Sequence, residues 1–449
     1  MTTAVASKTE LKQNSALHNA VEEAGDAFAQ RNPNSFRLFE RAQAFMPGGN
    51  TRSALHFDPF PLYVERSEGA RVHDVDGHVY LDALGEFTAG LYGHSDPRLQ
   101  AAVIETVRKG VSNGAPGESE INLANLVCER FPAIEAVRFC NSGTEANLYA
   151  LTLARAATRR SKLLAFSGAY HGGIFVFGGG GADVNAPYDW TLCRYNEIEA
   201  TVETIERLGP DLAAVIVEPM MSNGGCIPAT REFLEALRQV CSRVGSVLIF
   251  DEVVTSRMGP GGSHSLLGVT PDLMTLGKYL GAGFSFGAFG GKASIMDLMN
   301  PRRPDALPHA GTFNNNVFSM SAGFTGLSDV FTPARAEALY ADGEALRAKL
   351  NEIAQRHTAF VQFTGCGSAM NIHFVEGPVT SPEDLVGEPR ELFKLFHFDL
   401  LEAGIYAARR GQINLSLAMG ETDFSIIADA IEKFLKRRGD LIRAIAGER

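Results

Sequence analysis

Five short apolar runs, VRFCNS, KLLAFSG, LAAVIVEP, SVLIFDE and DLMTLGK, recur between residues 137 and 278, with helix-length segments between them. A strand with one wet face alternates apolar and polar residues. A run that is almost continuously apolar is a strand buried on both faces, as in a parallel sheet covered by helices. The chain is therefore expected to be α/β, with a large domain built on a mostly parallel sheet. After Thr332 the pattern changes to helix, two strands, helix, strand, helix, which reads as a smaller α+β domain. At 449 residues the chain is too long for a single small core. The expected division is an N-terminal arm and segment over 1–70 that packs with the small domain, a large domain over 71–332, and the small domain over 333–449. Residues 1–32 are polar and Ala-rich and read as a loose arm. NSFRLFERAQAFMPGG reads as a helix with an Asn-Ser cap, stopped by Pro47 and Gly48. The run Gly178–Gly181 reads as a flexible loop.

In open α/β sheets ligands sit beyond the carboxyl ends of the strands, so the residues that follow each run carry the chemistry. After VRFC comes Asn141-Ser142-Gly143-Thr144-Glu145 at the start of a helix. Such a turn offers unpaired backbone N–H groups, two hydroxyls and the positive end of the helix dipole; it suits a phosphate, and it equally suits an ordinary N-cap. After LLAFSGA come Tyr170 and His171; the tyrosine can stack on a flat ring, and His171 is read as structural. After SVLIF comes Asp251, a carboxylate that is costly to bury ionised without a cationic partner. It fits a pyridinium N–H, a helix cap or an ion pair. After DLMTLG comes Lys278, among Leu276, Gly277, Tyr279 and Leu280, ahead of a glycine-rich run that reads as a permissive hinge. Desolvation there favours the neutral amine, which is a nucleophile toward an aldehyde; a lysine that snorkels to solvent is the alternative. Taken together, these four signals describe one ligand with a phosphate, a basic aromatic ring and an aldehyde: pyridoxal 5′-phosphate (PLP).

The motifs NSGTEAN (141–147), YHG (170–172), VEP (217–219), DEVVTSR (251–257) and TLGKYLGAG (275–283) resemble those of the class III PLP-dependent aminotransferases of fold type I, from about residue 36 to the end of the chain. PGGNTR (47–52) and GTFNNN (311–316) resemble the branch that holds glutamate-1-semialdehyde aminomutase and the β-amino acid (β-phenylalanine) aminotransferases. Two departures stand out. Many family members have glycine where this chain has Ser256. The aminomutases carry a longer segment before their substrate arginine than GGNTRS allows, which tilts the match toward the β-amino acid enzymes.

The resemblance implies that Lys278 carries PLP as a lysine imine and moves the proton, and that Asp251 keeps the ring nitrogen protonated. It further implies that Ser142, Gly143 and Thr144 hold the phosphate, that Tyr170 and Val253 cover the two ring faces, and that Glu218 sits near the ring hydroxyl. Thr312 is implied to reach the phosphate of a neighbouring subunit, giving a homodimer with shared active sites. Arg52 and Arg410 are implied to bind carboxylates; Arg409 is the neighbour that could be mistaken for Arg410. The expected activity is a transaminase that moves the amino group of a β-amino acid, aromatic or aliphatic, to 2-oxoglutarate. The alternative is an aminomutase of the glutamate-1-semialdehyde type.

The formal net charge is −11 with no long basic run, which argues against a nucleic-acid partner or an anionic membrane surface. Six scattered cysteines form no CxxC pair, so neither a disulfide framework nor a metal site is expected. No apolar stretch approaches the ~20 residues of a membrane span, and the N-terminus lacks a signal-type apolar core. A cytoplasmic location is the expectation.

Overall fold

The computed structural model of the protein describes residues 8–178 and 181–446. A seven-stranded sheet lies at the centre. Its spatial order is Ala136–Cys140, Gly287–Gly291, Leu273–Gly277, Val247–Asp251, Leu212–Val217, Lys162–Phe166 and Trp190–Cys193. All strands run parallel except Gly287–Gly291, which is antiparallel to both neighbours. The continuous apolarity of the five runs has the expected origin. Leu163, Ala165, Ala214, Ile216 and Ile249 pack against helix Gly143–Thr158 on one face. Leu164, Phe166, Val215, Val217, Leu248 and Phe250 pack against helix Arg231–Val244 on the other. Alternate residues of each strand thus serve separate cores.

The strand Gly287–Gly291 was not legible, because GAFGG has almost no side chains to display a period of two. The glycine-rich run after Lys278 ends in this strand, which is fully buried and second from the edge of the sheet. Its glycines are there because the neighbours are close. A Cβ on Gly290 would lie 2.6 Å from the Ala136 carbonyl oxygen, and one on Gly287 would strike the Ser142 carbonyl. At Gly287 and Gly290 only a residue without a side chain fits, whereas Phe289 between them finds room against Tyr149.

A four-stranded sheet joins Val64–Glu68, Arg71–Asp74 and Val79–Asp82 to Ile405–Tyr406 near the other end of the chain. Its strands come from both sides of the boundary expected at residue 70. Strands Gln362–Cys366, Ala369–His373 and Gln412–Asn414 form a three-stranded antiparallel sheet beside the long helices Pro333–His357, Arg390–Glu402 and Glu421–Ala446.

Much of the expected loose arm is instead a helix, Lys8–Arg31. Leu17, Val21, Ala24 and Phe28 recur at helical spacing, and Leu17 and Phe28 are buried. The next helix, Pro33–Gln43, begins two to three residues earlier than the Asn-Ser cap implied, with Asn32 at the N-cap position. Asn34 and Ser35 lie inside it, their N–H groups donating to Asp76 at 2.6 and 3.0 Å. Of the glycine run, Gly179 and Gly180 lie outside the described residues. Among the described residues no helix is long and apolar enough to cross a membrane.

Candidate active site

The carboxyl ends of the parallel strands open onto a cavity of about 630 Å³. Gly143, Thr144, Tyr170, Glu218, Asp251, Val253, Lys278, Arg52 and Arg410 all line it. Two residues of the expected set do not. Ser142 is the N-cap of helix Gly143–Thr158, its hydroxyl accepting the Glu145 N–H at 3.2 Å. Thr312 is exposed on a separate loop.

Strand Val247–Asp251 delivers Asp251 at its end, 5% exposed. One carboxylate oxygen accepts the Asn147 amide and the His171 Nδ1, each at 2.8 Å. The other accepts the Val253 N–H at 3.1 Å and the Thr275 hydroxyl at 3.3 Å. The Asn147 carbonyl accepts from that same hydroxyl at 2.7 Å, and its amide also donates to the His171 carbonyl at 2.9 Å. Sequence reasoning missed this set. Asn147 stands one helical turn beyond Gly143, a spacing that could have flagged it. His171, read as structural, both holds Asp251 and lines the cavity. Thr275 had no signal beyond its place in an apolar strand.

Glu218, 5% exposed, follows strand Leu212–Val217 and accepts the N–H groups of Tyr170 at 3.2 Å and Ser222 at 3.3 Å. Burial, reinforced by the nearby Asp251 charge and opposed by His171, raises its pKa to about 7.

Lys278 leaves the end of strand Leu273–Gly277 with φ at +52°, and its amine donates to the Phe87 carbonyl at 2.8 Å. Burial, with Arg410 and Arg52 adding to it against Asp251 and Glu86, lowers its pKa from 10.5 to about 8. A sizeable neutral fraction is then present near neutral pH, as a nucleophile or base requires.

The loop after strand Lys162–Phe166 closes over the helix start. The Gly173 N–H donates to the Thr144 hydroxyl at 3.1 Å. A Cβ on Gly172 would lie 2.7 Å from the Thr144 Cα, so this approach needs glycine. The N–H groups of Gly143 and Thr144 sit in the first helical turn, where no intrahelical acceptor exists. Val253 sits against Gly143 and Gly277, with hypothetical Cβ contacts of 3.0 and 3.1 Å.

Phe87 lies between two cations, 5.5 Å from the Arg52 guanidinium and 5.2 Å from that of Arg410. Arg52 pairs with Glu86. Arg410 is held by neutral acceptors, Asn223 and Gln412, and burial lowers its pKa. Arg409 is exposed and does not line the cavity.

An anion site at a helix start, a buried carboxylate on a strand end and a desolvated amine thus face one cavity. That donor set fits PLP: Gly143 and Thr144 for the phosphate, Asp251 for the ring nitrogen and Lys278 for the aldehyde.

The family model for aminotransferase class III matches residues 53–177 and 182–435. The chain is 48% identical to the β-phenylalanine transaminase of Variovorax paradoxus, over 95% of this chain and 98% of that one. A solved structure of a β-phenylalanine aminotransferase from Variovorax paradoxus, also 48% identical, superposes with a TM-score of 0.93 over 94% of this chain and 98% of that one. The glutamate-1-semialdehyde 2,1-aminomutase of Methanopyrus kandleri is 38% identical, over 90% of this chain and 98% of that protein.

Proposed function

The chain belongs to the class III aminotransferases, PLP-dependent enzymes of fold type I, and within that family we propose that it moves the amino group of a β-amino acid to 2-oxoglutarate, giving a β-keto acid and glutamate. The observation that carries this reading is the pair Arg52 and Arg410, set about Phe87 in the same cavity as Lys278. A β-amino acid has its carboxylate one carbon removed from the amine-bearing carbon. Glutamate has one carboxylate on that carbon and another two methylenes away. With the reacting carbon fixed, both substrates need a distant carboxylate site, and glutamate alone needs a near one. Arg52 is the distant site and Arg410 the near one. When an aromatic or aliphatic side chain arrives instead, Arg410 swings out, because a charged fork left facing an apolar group is costly. Its present partners are neutral amides, which it can leave without separating charges.

When bound, PLP supplies an aldehyde for the amine and a ring that accepts electrons. The side chains do the rest. Lys278 binds the cofactor and, once freed by substrate, carries the proton as base and then acid. Asp251 holds the ring nitrogen protonated, braced by Asn147, His171 and Thr275. Gly143 and Thr144 hold the phosphate with Ser142 capping the helix. Tyr170 and Val253 cover the two ring faces. Glu218 sits beside the ring hydroxyl. The exposed Thr312 supports a homodimer in which it reaches the partner's phosphate. In this reading residues 71–332 are the cofactor-binding domain, 1–70 and 333–449 pack together, and the enzyme works in the cytoplasm.

The test is a panel of β- and α-amino donors assayed with 2-oxoglutarate, with glutamate measured as product. Turnover restricted to α-amino donors would refute the substrate class. The likeness to an aminomutase favours one other reading, an isomerase. Turnover without any keto acid would select it.

A further inference from the structure

The segment Gly85-Glu86-Phe87-Thr88 has four consecutive left-handed residues, with φ of +51°, +48°, +52° and +79°. Three of them are not glycine. Such backbone persists only where its surroundings over-determine it, and here they do. Asp82 accepts the N–H groups of Leu84 and Gly85, both at 3.0 Å, and is itself held by His94 at 2.9 Å. Lys278 donates to the Phe87 carbonyl. Arg257, 1% exposed, donates to the Thr88 carbonyl at 2.9 Å, to Ser368 at 3.0 Å and to the Leu415 carbonyl. A buried guanidinium held only by neutral acceptors is expensive, and this one pins the strained loop to the segments on either side of Arg410.

The loop gives the two candidate carboxylate arginines unequal settings. The direct partners of Arg410, Asn223 and Gln412, are neutral and leave its charge uncompensated. Arg52 faces a carboxylate already: its Nη1 is paired with Glu86, and both side chains are about half exposed. We infer that Glu86 is an internal carboxylate that occupies the Arg52 subsite and is displaced from it by the substrate's carboxylate, so that Glu86 sets how tightly this subsite takes carboxylates. The inference rests on the reading of Arg52 as a substrate site. The pair suits exchange. An exposed ion pair is weak enough to open, and the incoming carboxylate restores the charge balance at the guanidinium. A stationary brace that merely aims Arg52 would act in the opposite sense, since its removal would loosen the site.

Glu86→Gln keeps the shape and removes the charge. It is expected to lower KM for β-phenylalanine by about 2- to 5-fold, with kcat moving less than KM. Calorimetry with 3-phenylpropanoate, which has the carboxylate but no amine, should show the same gain in affinity. In an Arg52→Ala background the gain should vanish. Glu86→Asn, which tolerates left-handed backbone, provides a second variant if the first folds poorly. A KM that rises or stays the same, or 3-phenylpropanoate bound no better by the variants, overturns the inference. If Arg52→Ala itself leaves KM for β-phenylalanine unchanged, the failure lies with the assignment of Arg52 and not with Glu86.

Discussion

Asp251→Asn separates the charge at the end of strand Val247–Asp251 from its shape. The oxygen facing Asn147 and His171 accepts two N–H donors at 2.8 Å, so an NH₂ group there would meet both. The new amide therefore turns its oxygen toward that pair and its NH₂ toward Val253 and Thr275. The Thr275 hydroxyl has an acceptor in Asn147 at 2.7 Å and can receive a hydrogen. Only the Val253 N–H, now bonded at 3.1 Å, loses its partner. A buried donor left unsatisfied costs about 1–3 kcal/mol, and the Val253 N–H, only partly buried, sets that as the upper bound. The functional loss is separate. A hydrogen bond to a charged partner contributes about 1.5–3 kcal/mol, and at about 1.36 kcal/mol per decade the rate of proton transfer should fall about 10- to 150-fold. The assay is a single-turnover half-reaction with saturating β-phenylalanine, followed by the cofactor's absorbance, on variant protein shown to be folded and loaded. A rate within about threefold of wild type, under 1 kcal/mol of barrier, refutes the role given to Asp251.

Lys278 gives a prediction in pH. Its pKa is 10.5 when unfolded and about 8 in the fold, so the unfolded chain binds more protons between those values and stability rises with pH across that window. Below about 8 the penalty is complete, about 3 kcal/mol, offset by about 1 kcal/mol for the bond to Phe87. Cofactor-free Lys278→Met should therefore be more stable than wild type at pH 7 by about 2 kcal/mol, with the gain shrinking from pH 8 to 10.5 in urea unfolding; a variant less stable at pH 7 contradicts the desolvated amine. In half-reactions, Arg410→Ala should slow glutamate by one to three orders of magnitude and nearly spare β-phenylalanine, whereas Arg52→Ala should impair both. Equal damage to both halves by Arg410→Ala would remove the switch. Mixing Lys278→Ala with an inactive Thr312→Val chain under subunit exchange should restore part of the activity, because one site of a hybrid dimer carries neither lesion. No recovery would mean each site is built from one chain.

The α/β class and the strand ends could be read from the residues alone, because burial on both faces leaves a continuous apolar run and ligands gather where such strands stop. That Lys278, Asp251 and the Gly143–Thr144 turn would face one cavity was legible for that reason. The helix Lys8–Arg31 was in principle legible too, through Leu17, Val21, Ala24 and Phe28, but its polar composition masked the stripe. Other features were decided only by the tertiary structure. In strand Gly287–Gly291 the neighbouring backbones approach too closely for a side chain at Gly287, Gly290 and Gly291, and with only Ala288 and Phe289 left the segment shows no periodic trace. The support of Asp251 by Asn147, His171 and Thr275 comes from three separate elements that meet only when the sheet is assembled. The same holds for Arg52, Glu86, Phe87, Lys278 and Arg410. Hydrophobic periodicity is a local property of the chain, whereas a charge pair or a cation over a ring is a property of distances, and those distances are set by packing between segments far apart in sequence.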